Sequence, residues 1–248
     1  MSNEALTPES VPPILFESIS EIDWFATLCW NLAVFFSSVL NYDQASFFWY
    51  ANYRFLSFCT PSPDIYTMER QSLTLTVATY LQTEASHTNS QEDMDGLSVS
   101  KCLCLLNTCR SVLKECNPSA IIEETYMYLN QLEITCLTRL NDSMLLPKLK
   151  EYSGSHLFPF SFFLELYYIL EQENSKDVTA KKECLRTALQ SLLQQPSFSL
   201  TSVCEVIHCL LLVCESKTEE YHWIEQLLQI VKTYGEPFQY THILFTHM

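Results

Sequence analysis

The sequence predicts an all-α protein, an array of antiparallel helix pairs, and three observations carry that expectation. Glycine is nearly absent: the 248 residues hold only Gly96, Gly154 and Gly235, where a share of about 7% is usual. Glycine supplies the positive-φ turns of hairpins and the close backbone approach of phosphate loops, so all-β and nucleotide-binding α/β folds are disfavoured. Apolar residues then recur at three- and four-residue spacing along most of the chain. Finally, short Pro, Ser, Asn and Asp clusters punctuate these stretches, as turns between helices do. With 48% hydrophobic and 17% charged residues the composition is globular, and the length makes one large domain or two small ones.

The elements follow in order. Residues 1–19 are a flexible lead-in in which Pro8, Pro12 and Pro13 oppose helix. Ser20 or Asp23 caps a helix running to Leu40, and Asn41-Tyr42-Asp43 is a turn. A second helix spans Asp43 to Phe58 and stops at CTPSP (59–63), where Asp64 caps a third helix to Thr83. These helices, 20–83, form the first segment. Residues 84–96, EASHTNSQEDMDG, are an acidic loop. A further helical array fills 97–236. It holds one helix at 98–116 and a second opened by Asn117-Pro118 and ending near Leu140. A short helix is capped by Asp142, and others cover 160–171, 176–194, 199–214 and 218–233. Residues 237–248 are a tail.

Charge and cysteine use narrow the function. Fourteen basic residues against 29 acidic ones give a formal charge of −15, unsuited to tracking a phosphate backbone, so no direct nucleic-acid binding is expected. The opening MSNEALTPESVPP lacks a basic region followed by an apolar core. Eleven cysteines, odd in number and set in apolar helical runs, read as small buried residues of a reducing compartment. An intracellular protein is expected.

Chemistry-bearing motifs are missing. Cys102, Cys104, Cys109 and Cys116 contain no CxxC pair, nor do Cys204, Cys209 and Cys214, which stand about 140° apart on a helix. His208, on the same apolar face, reads as a hydrogen-bonded core residue. No GxSxG, GxxxxGK[ST] or HExxH occurs, and the carboxylate pairs Glu92-Asp93, Glu123-Glu124 and Glu219-Glu220 lie in loops or at helix starts. No metal, cofactor, small-molecule substrate or catalysis is expected. Trp24–Leu40, 17 residues interrupted by Asn31, Ser37 and Ser38, falls short of the roughly 20 a membrane span needs.

What stands out is DWFATLCWNLAVFFSSVLNYDQASFFWYANYRFL (23–56), charged only at Asp23, Asp43 and Arg54. Leu28, Leu32, Phe35, Phe36 and Val39 mark one face of the first helix. Tyr42, Ala45, Trp49 and Asn52 mark the second, with Phe48 and Phe55 on a neighbouring face. Small Ala33 and Ala45 let the backbones approach while Phe36 and Trp49 fill the space around them. A first helix so apolar on every side should be covered on both.

This spacing resembles a tetratricopeptide repeat, a helix–turn–helix unit of about 34 residues. In that register Leu32-Ala33, Phe36, Tyr42, Ala45 and Trp49 are the repeat-packing positions. Cys29, Leu40 and Asn52 depart from it, standing where Trp, Gly and Ala are usual. Cys184, Ala188, Ser191, Leu192 and Pro196 resemble a second, half-length match, and no tandem period is clear between 60 and 175. Asp23-Trp24, Trp30-Asn31, Tyr42-x-x-Ala45-x-x-x-Trp49 and Arg54-Phe55-Leu56 are similar, more narrowly, to the meiotic tetratricopeptide scaffolds, the sporulation-specific and testis-expressed proteins of the synapsis initiation complex. Members of that family are several times longer.

The resemblance implies a tetratricopeptide-like α-solenoid and a non-catalytic scaffold of homologue synapsis and crossover formation, nuclear and chromosome-associated. Its implied partners are crossover-promoting proteins, including XPF-like and RING-type ones. The implied partner-binding positions are Thr27, Trp30, Asn31 and Val34, facing the groove of the repeat, with burial of Trp30 against the next helix as the competing role. A cytosolic tetratricopeptide adaptor or co-chaperone is the alternative. However, Trp30 and Val34 stand where that class places carboxylate-holding Lys and Asn, and an acidic chain repels an acidic peptide.

Overall fold

A computed structural model of the chain describes residues 19–86, 98–116, 124–155, 158–195 and 197–234. The described residues form ten α-helices and no strand: α1 (Ile19–Ser38), α2 (Tyr42–Leu56), α3 (Pro63–Ser86), α4 (Val99–Cys116), α5 (Glu124–Arg139), α6 (Leu145–Gly154), α7 (Phe160–Gln172), α8 (Val178–Leu193), α9 (Leu200–Leu212) and α10 (Lys217–Tyr234). The all-α expectation therefore holds. The lead-in, most of the acidic loop, the Asn117-Pro118 helix start, Pro196 and the tail lie outside the described residues.

The chain divides into two compact units, 1–121 and 122–248. This boundary differs from the one read from composition, because α4 packs on α3 and belongs to the first unit. The acidic stretch after α3 looked like a divider, yet Thr74 Oγ1 lies 3.4 Å from Cys109 Sγ across the α3–α4 contact.

In the first unit α2 is flanked by α1 and α3. Asn41 caps α2, its side chain accepting from the Gln44 amide. The cap of α3 is Ser62, whose hydroxyl accepts from the Ile65 amide. Asp64 was the expected cap, but Pro63 already occupies the first helical position, where a missing N–H costs nothing. Ser72, Thr76 and Thr79 are buried on one side of α3 and Thr74 on the opposite side, against α4. The threonine hydroxyls return to carbonyls a turn earlier, as Thr76 does to Ser72 at 2.7 Å, so no donor is stranded by burial.

In the second unit α5 contacts α6 and α7, α6 and α7 both contact α8, and α9 contacts α8 and α10. Gln131 on α5 donates to Glu165 on α7. Arg139 grips Glu173, just past α7, through Nε and Nη2 at 2.8 Å each. Both pairs are 34 residues apart, so α5 and α7 run parallel in a constant register. No such period was legible between 60 and 175, because its contacts join unlike residues. The core is Leu129, Ile134, Leu149, Phe162, Leu166, Leu170, Leu185, Leu192 and Ile207, each fully buried.

Three turns share one construction. Leu40, Asn141 and Asn174 are the only non-glycine residues at positive φ among those described, at 59°, 49° and 52°. Each follows the end of α1, α5 or α7. In each turn the next amide reaches back five residues, Asn41 to Phe36, Asp142 to Leu137 and Ser175 to Leu170, all at 2.9 Å. This left-handed stop satisfies carbonyls that the helix end leaves open. Asn41, Asp142 and Asp177 then accept an amide of the following segment. The left-handed stop thus recurs three times, and a side-chain-capped helix follows it at α1–α2 and α7–α8. At α5–α6 Asp142, the expected cap, instead closes a turn onto the Met144 amide, and α6 starts without a side-chain cap.

Candidate partner-binding face of the first helix pair

The first helix pair is built around small residues. Ala33 and Ala45, both fully buried, meet beside Trp49, and Trp30, Phe36, Phe48 and Leu75 pack against them. Without a side chain beyond Cβ at the crossing, the backbones come close enough for rings to close over it from both sides. Phe36 stacks on Phe48 at 5.4 Å and Phe25 on Phe55 at 5.5 Å, which fixes α1 and α2 antiparallel. Asn52, fully buried, ties three helices together. Its Nδ2 donates to the Ala26 carbonyl of α1 at 2.6 Å, and its Oδ1 accepts from Ser72 of α3 at the same distance. A polar residue in the alanine position of the repeat register is therefore an internal clasp. An amide between two apolar helices was the signal for it.

The structure keeps Ala33 and Phe36 at the crossing, as the sequence reading has them, but moves the larger side chains of the expected stripe outward. Leu28, Phe35 and Val39, expected on the packed face, are exposed, and the residues facing α2 are Ala26, Cys29 and Ala33. Bulk misleads here: close packing selects the small side, and the larger side chains are displaced outward. Leu32 and Tyr42 lie half-buried at the margin. Cover on both sides, expected from the all-round apolar character, is not provided by the described residues.

Of the four expected partner-contact residues, Thr27, Asn31 and Val34 are exposed on α1, one helical turn apart. Trp30 departs from that set. Its ring stands edge-on against Trp49 at 4.9 Å and is half-buried in the α1–α2 core. The exposed aliphatic and aromatic surface lies beside Thr27 and Asn31 and comprises Trp24 (60% exposed), Leu28, Phe35 (57%) and Val39 (54%).

The remaining chemistry is protein-internal. Burial raises the thiol pKa of Cys29, Cys109, Cys184 and Cys204, which disfavours the thiolate at neutral pH. His208, read as a core residue, is exposed; the helix turns its Val206, Ile207 and Cys209 neighbours inward instead. The Tyr152 hydroxyl joins buried Asn130 and Glu133. That tyrosine also lines a cavity of about 130 Å³ with Ser153, Phe158, Phe163, Thr187, Gln190, Ser191 and Gln194, smaller than the roughly 300–1,000 Å³ of small-molecule sites. Burial and the hydrogen bond to Glu205 push the Tyr168 hydroxyl up to about 12. Among the described residues no group of three His, Cys, Asp or Glu side chains is placed to hold a metal, and no helix is long and apolar enough to cross a membrane.

Comparison of the chain with protein-family models, with curated proteins and with solved structures returns no match.

Proposed function

We propose that the chain is a non-catalytic protein-interaction scaffold built of tetratricopeptide-like helix pairs. It acts in the nucleus, on chromosomes, in meiotic synapsis and crossover formation, with other proteins of that process, XPF-like and RING-type factors among them, as its partners. The observation that carries the scaffold part is the apolar exposed face of α1, mounted on a helix pair whose own core is complete without it. Exposed apolar side chains gathered on one face mark an interaction site. The thrice-repeated turn and the 34-residue register of α5 on α7 support a repeat construction. The meiotic assignment rests on the resemblance of residues 23–56.

The test is affinity capture with the full chain as bait, from meiotic germ-cell nuclei and from somatic cytosol in parallel, with a Thr27→Ala, Asn31→Ala variant as control. Chromosome-axis or crossover proteins recovered from the nuclear extract, and lost with the variant, are the expected result. Chaperones recovered from both extracts would replace this reading with the cytosolic adaptor.

A further inference from the structure

The exposed side of α1 has a definite shape. Trp24, Leu28, Phe35 and Val39 fall within a narrow arc of the helical wheel, directly opposite buried Ala26 and Ala33. From Trp24 to Val39 the stripe runs fifteen residues, about 22 Å. Phe25 at 37% and Val34 at 47% exposure widen it on either flank. That is the length and width of surface that one amphipathic helix covers with a stripe of side chains at three- and four-residue spacing.

Charge chooses between occupants. The only charged residues of α1 are Glu21 and Asp23, before the stripe, and the next along the chain is Asp43, just after it; all three are exposed. The single cation of the helix pair, Arg54, belongs to α2. A second copy of the chain laid antiparallel along the stripe, centred on Asn31, would bring Glu21 of one copy opposite Asn41 to Asp43 of the other. Acid would face acid at both ends. A partner with an apolar stripe and Lys or Arg at its two ends meets the opposite field.

We infer that the outer face of α1 is a docking surface for an amphipathic helix of a partner protein carrying basic residues at both ends. The inference rests on the scaffold reading and specifies the face and the partner's chemistry.

The test uses the full chain and two labelled helical peptides of about 20 residues. Both have one Leu stripe at i, i+3, i+4 and i+7 spacing; one has Lys in its terminal turns and the other Glu. Binding is read by fluorescence anisotropy at two salt concentrations. The Lys peptide is expected to bind at least tenfold more tightly than the Glu peptide, with the difference shrinking at high salt. A Leu28→Ser, Phe35→Ser variant should lose binding of both by tenfold or more. These side chains are exposed, and retained helicity and melting temperature would verify folding. A Glu21→Lys, Asp23→Lys, Asp43→Lys variant should reverse the preference.

Equal binding of the two peptides, or binding unmoved by the serine variant, overturns the proposal. So does a concentration-dependent dimer that the serine variant disperses, since a second copy would then occupy the face. If the serine variant still captures the same nuclear proteins as wild type, the scaffold reading survives and this docking face does not. If nothing is captured but the peptide preferences hold, the meiotic reading fails and the face stands.

Discussion

Leu40 is the residue that most clearly works against its own conformation. At φ 59° its Cβ crowds the carbonyl, a left-handed placement that costs an L-residue about 1–2 kcal/mol, and its side chain is 70% exposed with little to offset that. Leu40→Gly is therefore expected to stabilise the chain by about 0.5–1 kcal/mol, once the greater freedom of glycine in the unfolded state is deducted. Urea denaturation of the two proteins checks the sign, which a packing role for Leu40 would reverse. Asn52 is the opposite case. Asn52→Leu would leave the buried Ser72 hydroxyl without its partner and take the second of two hydrogen bonds from the Ala26 carbonyl, and should cost about 2–3 kcal/mol. Asn52→Leu combined with Ser72→Ala should recover part of that loss, because one stranded group is removed with it. No recovery in the double variant would mean that Asn52 matters through its shape alone. Both residues were legible as departures from the repeat register. Only the structure tells the strained departure from the useful one, since the partners of Asn52 lie 26 and 20 residues away.

At the scale of elements, polar pairs fix how neighbouring helices align. Lys182 of α8, only 8% exposed, reaches Glu219 of α10 at 2.7 Å and Glu215, before α10, at 3.1 Å, while Arg186 stands 3.4 Å from Glu219. The hydrogen bond from Lys182 holds the Glu219 carboxyl below the usual carboxylate range, and the same bond raises the Lys182 ammonium. A carboxyl held low contributes stability that is present above its unfolded value and is lost as the pH falls through its folded one. A raised ammonium contributes stability below the ordinary lysine value and loses it as the pH rises through the folded one. Lys182→Met should cost about 1–2 kcal/mol at neutral pH and flatten the dependence of stability on pH below about pH 4. Urea midpoints of the two proteins from pH 3 to 7 supply the check: parallel curves would show that the cluster does not set the acid limb. Helix boundaries were legible within a few residues because the Asn41-Tyr42-Asp43 turn and the CTPSP stop (59–63) announce them locally. The alignment of α5 on α7 was not, since Gln131–Glu165 and Arg139–Glu173 leave no repeated letters. On α1 Ala33 and Phe36 were read in their places, but Leu28, Phe35 and Val39 were not, because hydrophobicity ranks leucine, phenylalanine and valine above alanine, whereas close approach ranks them the other way.

At the scale of the whole molecule, the two units make separate demands on the sequence. The first depends on a crossing where Ala33 and Ala45 admit no added atoms, the second on a larger set of leucines and phenylalanines including Phe162, Leu166 and Leu185. Ala45→Arg forces a guanidinium into the first crossing, where it has neither room nor a counter-charge held ready by α1 or α2. Burying it unpaired should exceed about 4 kcal/mol, enough to unfold the surroundings before it is accommodated. The local character of that damage is what separates a two-core chain from a single core. Hydrogen exchange resolved along the chain should show protection lost over 19–116, with the protected core of 124–234 still present. Protection lost equally in both would show that the chain folds as one cooperative body, and a melting temperature changed by less than a degree or two would show that Ala45 does not occupy a closed crossing at all. With the Leu28→Ser, Phe35→Ser variant the expectation is the reverse, because those side chains face outward: protection persists in both units while peptide binding disappears. The two variants lie on the same pair of helices, one on each side of α1. Their opposite outcomes would divide what holds the pair together from what it presents to a partner.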